Sequence, residues 1–155
     1  MFHWLIDIAR SLVDSGFKVV YISAVRPCGD IQARLQRSGL DTSAFYFVDL
    51  VSKDVTAVRE KSGCLFIKSP SALTDLSISL SAALSDVRDQ LAILLDSITA
   101  LTMHSDIRAV EEFVHTLVSK ARVADAKAIV GILEKTDPQE LERFAMLCDE
   151  TLEVS

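Results

Sequence analysis

The sequence has no cluster of basic residues, no paired-cysteine spacing and no apolar run long enough to cross a membrane. Its 16 lysines and arginines stand against 22 aspartates and glutamates, for a formal charge of -6 and a pI near 5.0. Wrapping nucleic acid needs a clustered excess of cations that displaces counterions, so a nucleic-acid partner is not expected. Cys28, Cys64 and Cys148 are odd in number, far apart, and outside any CxxC or Cys/His ligand spacing. That pattern points to a reducing cytosol, hence a cytoplasmic protein, and away from a disulfide framework. Residues 1–8 are apolar but carry His3 and Asp7 and run into Arg10 without a basic leader, so neither a signal peptide nor a membrane span is expected. His3, His104 and His115 show no ligand spacing, and no GxSxG elbow is present, so neither a metal site nor a nucleophilic serine is expected.

What is present suits one globular domain over residues 1–155. Half of the residues are hydrophobic and a quarter are charged, which fits a dense core at a length that needs no disulfide or metal to hold it. No Gly/Ser-rich linker divides the chain and no period of solenoid length repeats.

Hydrophobic periodicity orders the elements. Phe2, Leu5, Ile6, Ala9, Leu12 and Val13 fall at helical spacing before Ser15-Gly16. Lys18 to Ser23 reads as a strand covered on both faces, and Gly29 to Ser38 as a short amphipathic helix. Strands are expected at Phe45–Leu50 and Cys64–Ile67, then a helix from Ser69-Pro70 with Leu73, Leu76, Leu80, Ala83, Leu84 and Val87 inward. Leu91 to Leu95 is an uninterrupted apolar run that ends in Asp96. A helix over about Ser105–Val123, a strand at Lys127–Leu133, a helix start at Asp137-Pro138 and an edge strand at Cys148–Val154 complete the chain. Strands separated by helices imply right-handed βαβ units, hence an α/β three-layer sandwich around a mostly parallel sheet.

Three of these segments, in order, resemble the RecA superfamily and its KaiC-like branch, which includes archaeal ATPases. Residues 16–23, GFKVVYIS, look like the family's second core strand; residues 91–97, LAILLDS, look like its Walker B strand; and residues 148–154, CDETLEV, look like the late strand after the sensor region. The likeness spans nearly the whole chain and implies a degenerate P-loop domain. The family's GxxxxGK[ST] loop and first central strand have no counterpart, because the chain begins inside the helix that would follow them. That loop supplies the backbone N–H nest and the lysine that hold the phosphates, so ATP hydrolysis is not expected. Ala24-Val25-Arg26 follow the first strand where KaiC-like enzymes place acidic residues that polarise water, so a second catalytic element is missing.

The resemblance makes Asp96, with Ser97, a relic Walker B site for a nucleotide and its Mg²⁺. The competing reading is that Asp96 bonds nearby backbone and caps the segment that starts at Ser97. Lys135 and Thr136, with Glu134, occupy the position of the sensor loop, against a plain solvated loop. Arg26, Arg34 and Arg37 could meet an anion, but Asp30 and Asp41 dilute the field and a solvated face is expected. Trp4 lies in a broad apolar helix face that has to be covered by the chain's own sheet or by another subunit.

The expected function is a non-catalytic scaffold or regulatory interaction domain that self-associates or pairs with a RecA-like relative, with no resident cofactor. Residual nucleotide binding without hydrolysis is the alternative. In RecA-type sheets the first strand is interior, so its loss implies that Cys148–Val154 pairs with Lys127–Leu133 or that another chain adds a strand.

Overall fold

The computed structural model describes residues 2–51, 64–66, 90–133 and 135–154. In chain order they form α1 (Phe2–Asp14), β1 (Lys18–Ser23), α2 (Cys28–Arg37), a one-turn 3-10 helix (Thr42–Ala44), β2 (Phe45–Asp49) and β3 (Cys64–Phe66). There follow β4 (Leu91–Leu95), α3 (Ile98–Thr102), α4 (Ile107–Val123), β5 (Lys127–Val130) and α5 (Pro138–Met146). The five strands make one sheet in the order β3-β2-β1-β4-β5, and every pairing is parallel.

Burial explains the layers. β1 and β4 contain no charge after Lys18, and both are buried along Val19–Ser23 and Leu91–Leu95. Side chains alternate across a strand, so each feeds two cores. Val19, Tyr21, Ala92 and Leu94 meet Leu5, Ala9 and Leu12 of α1 and Ile31 and Leu35 of α2 on one face. Val20, Ile22, Ile93 and Leu95 meet Val110, Phe113, Val114 and Leu117 of α4 on the other, where Phe144 of α5 joins them. The result is an α/β three-layer sandwich. α1 presents Leu5, Ala9 and Leu12 at intervals of four and three, and Gly16 turns the chain into β1 at φ +87°, a backbone conformation that glycine adopts without strain. No helix among the described residues is long and apolar enough to cross a membrane.

The structure corrects several expectations. Residues 148–154 form no strand: Asp149 to Val154 are exposed coil, with Leu152 79% exposed, so this segment does not pair with β5. The strand expected over Lys127–Leu133 stops at Val130: Gly131 still donates to Leu95, but its carbonyl accepts from Ile98 at the start of α3, the short helix that follows β4. The expectation of unpaired thiols fails at two of the three cysteines. Cys28 opens α2, Cys64 opens β3, and a disulfide joins them beneath the sheet edge. Cys148 is free and half-buried. The helix expected from Ser69-Pro70 lies outside the described residues.

β5 ends the sheet on the side away from β3, and no described strand pairs with its outer side. Ala128, Ile129 and Val130 are only half-buried, whereas all five residues of β4 beside them are buried.

Candidate functional site

The order of strands singles out one place on the molecule. From β1 the chain moves outward to β2 and β3, and β4 and β5 lie on the opposite side of β1. The loop leaving β1 leads to α2 on one face, and the loop leaving β4 leads to α3 and α4 on the other. Between the carboxyl ends of β1 and β4 the connections therefore diverge, which is where open α/β sheets form a ligand crevice.

Asp96 lies at that switch point. It follows the last residue of β4, and its carboxylate turns toward β1: Oδ1 accepts the Ala24 N–H at 2.8 Å, and Oδ2 lies 3.4 Å from the Ser23 hydroxyl. Ser23 in turn donates to the Arg26 carbonyl. Asp96 is 7% exposed, and burial pushes its carboxyl up to about 6 despite the lowering effect of the Ala24, Ser23, Val25 and Ser97 contacts. Beside it the Tyr21 hydroxyl is fully buried and interacts with the Asp96 carboxylate, without a hydrogen bond of ordinary geometry among the described residues. Burial first, and the Asp96 charge second, hold that phenol well above its usual range.

Ser97 serves a local purpose, its hydroxyl accepting the Ala100 N–H as the cap of α3. The sequence-predicted pair is thus brought together, each member bonded to backbone. On the β5 side lies Gly131, whose N–H donates to the Leu95 carbonyl and whose carbonyl accepts the Ile98 N–H. Trp4 closes over it: a Cβ at Gly131 would stand 2.4 Å from the Asp96 carbonyl and 2.9 Å from Trp4 Cη2. Thr136 is buried, its hydroxyl 2.9 Å from that of Thr99, which also accepts the Leu133 N–H. The loop after β5 is therefore pinned to α3 at this point. Lys135 is exposed beside it.

A second buried carboxylate lies one strand further on. Asp49 ends β2, is 1% exposed, and accepts the Cys28 N–H at 2.8 Å and the Val51 N–H at 2.7 Å. It satisfies a donor at the start of α2, next to the disulfide. Residues 45–49, FYFVD, carry the same signal as residues 92–96, AILLD: an apolar run that ends in Asp. The sequence could have pointed to it. Arg26 and Arg34 both reach the one carboxylate of Asp30, at 3.3 and 3.6 Å.

The chemistry open to this arrangement is limited. Among the described residues no three acidic, His or Cys side chains come together to hold a metal. A hydrated Mg²⁺ is bound through an accessible carboxylate edge and keeps several waters. Asp96 presents no such edge, with Oδ1 engaged by Ala24 and Oδ2 directed at Ser23. The residues present do not fit a catalytic Mg²⁺. What Asp96 can do is join the two halves of the sheet and exchange a proton near neutrality.

A family model described as a family of unknown function, DUF7504, matches residues 9–154. A search of curated proteins returns no match.

Proposed function

We propose that this chain, which belongs to the DUF7504 family, is a non-catalytic, RecA-like scaffold or regulatory interaction domain. It works by associating with a copy of itself or with a RecA-like relative. The observation that carries this reading is the outer edge of β5, with which no described strand pairs: a strand with apolar residues on both faces, half-buried beside the fully buried β4. Bare edges of this kind are templates for another chain's strand, and soluble proteins blunt them unless they are used. The engagement of Asp96 with backbone supports the non-catalytic part, because a carboxylate spent on the Ala24 amide is not held out toward a phosphate or a metal. An overall acidic charge of -6 supports a protein partner over nucleic acid. A cytoplasmic setting belongs to the same reading, with the Cys28–Cys64 bridge then forming only where the pair is shielded from cellular reductants.

A second reading, residual nucleotide binding without hydrolysis, draws on the buried Tyr21 hydroxyl, which makes no ordinary hydrogen bond among the described residues at the switch point. Light scattering with and without ATP and Mg²⁺ separates the two. The scaffold reading expects an oligomer whose mass ignores nucleotide. A monomer whose stability rises with nucleotide, and loses that response on Asp96→Ala, replaces it with the second reading.

A further inference from the structure

The peptide groups of β5 define which strand fits its edge. Successive residues of a strand direct their N–H and C=O groups to opposite sides. Gly131 donates its N–H to Leu95 of β4 and accepts from Ile98, so its peptide groups face inward. Two residues back, Ile129 faces β4 as well, and the N–H and C=O groups of Ala128 and Val130 face the open side. The flanking side chains are apolar on both faces. Ile129 packs with the α1 side of the sheet, near half-buried Trp4 and Ile8, and Ala128 and Val130 pack with the α4 side, near Val118 and Leu147. An added strand must therefore be short and apolar on both faces.

The chain's own exposed tail does not meet that requirement. Thr151 to Val154 alternates Leu152 and Val154 with Glu153, which would place a carboxylate on one of the two apolar faces. β5 itself does meet it: Ala128-Ile129-Val130 is uncharged and apolar on both faces. Its one charge, Lys127, is held 5.1 Å over the Phe17 ring.

We propose that β5 is a self-association edge, pairing antiparallel with β5 of a second copy of this chain about a two-fold axis that passes between their Ile129 residues. The register follows from the outward groups. Ala128 of each copy exchanges both backbone hydrogen bonds with Val130 of the other, giving four bonds around a non-hydrogen-bonded Ile129 pair whose Cα atoms lie about 4.5 Å apart. Lys127 then stands opposite Gly131, so no like charges oppose each other. Two five-stranded sheets become one continuous sheet, and the interface is isologous and closed. This inference rests on the scaffold reading for the existence of an assembly and adds the surface, the partner and the register.

The test is Ile129→Cys in a Cys148→Ser background, oxidised mildly and compared with Met146→Cys in the same background. Met146 is 81% exposed and lies on α5, away from the strand. The Ile129→Cys chain is expected to form a covalent dimer at least tenfold faster than the Met146→Cys control, with the mass by light scattering unchanged. Ala128→Pro, which deletes an outward donor at an edge position where proline is tolerated, is expected to raise the dimer dissociation constant at least tenfold with an unchanged circular dichroism spectrum. An oligomer without preferential cross-linking at 129 overturns the edge and leaves the scaffold reading standing. A monomer at every concentration overturns both. A monomer in which cutting after Asp149 accelerates amide exchange at Ala128 and Val130 assigns the edge to the chain's own tail, and also overturns the proposal.

Discussion

The Asp96 carboxylate and the Ala24 amide, 72 positions apart in sequence, meet at 2.8 Å across the carboxyl ends of β4 and β1. This bond joins the two halves of the sheet at the point where their connections part. Its strength depends on a carboxyl that burial drives up to about 6.

Stability is expected to fall as pH rises through the titration of Asp96. Its folded pKa lies above the ordinary 3.8, so between about pH 4 and 6 the folded chain holds a proton that the unfolded chain has released. The contribution is full below the unfolded value and is lost by the time pH passes the folded one. A shift of this size corresponds to about 3 kcal/mol. Urea unfolding at pH 4.5 and 7.5 measures it, and Asp96→Asn, which keeps an oxygen for the Ala24 N–H without the charge, should flatten the pH dependence and be the more stable chain at pH 7.5. An unchanged slope in Asp96→Asn places the titration elsewhere.

Gly131→Ala is expected to destabilise by about 1–3 kcal/mol, the usual cost of overpacking. The closest obstacle to the new Cβ is the Asp96 backbone carbonyl, not the Trp4 ring, so Trp4→Phe should fail to rescue it. Trp4 is the single tryptophan, and its emission should shift in Gly131→Ala. Wild-type emission and melting temperature would show that the loop moves aside at no cost.

Reduction of Cys28–Cys64, which are separated by 36 positions, should lower stability by about 2–4 kcal/mol through the freed loop entropy of the unfolded chain. Mass spectrometry of the alkylated protein counts the thiols: one in the native chain, three after reduction. Three accessible thiols under native, non-reducing conditions would remove the bridge from the fold.

Tyr21→Phe removes a buried hydroxyl that makes no hydrogen bond of ordinary geometry among the described residues. Because an unpaired buried polar group costs about 1–3 kcal/mol, the variant is expected to be as stable as the parent or more so in thermal melts. A loss of more than about 1 kcal/mol would mean that the hydroxyl has a partner in solution.

Much of this architecture was legible in the sequence because it depends on local signals. The apolar runs of β1 and β4, the glycine that ends α1 and the Asp137 cap that opens α5 each announce themselves within a few residues. Asp96 could be placed at a strand end for the same reason. What it touches could not, since Ala24 is brought to it by the parallel pairing of β1 with β4. The disulfide was hidden likewise: the register of Phe47 with Cys64 puts β3 near the start of α2, and no spacing rule encodes that. Residues 148–154 show the opposite failure, a strand-like alternation in a segment that pairs with no described strand. Asp49 was missed although the run before it ends as the run before Asp96 does.

The central position of β1 also shapes how the chain reaches this state. β1 and β2 are joined through α2, and β4 and β5 through α4, so each pair closes over a modest length of chain. The seam between β1 and β4 joins Lys18 to Leu91, a closure of roughly seventy residues that carries the largest entropy cost in the sheet. Non-local parallel pairing of this kind is slow to form. The two βαβ halves are expected to fold first and zip together last. The Asp96–Ala24 bond should then slow unfolding while leaving the folding rate nearly untouched.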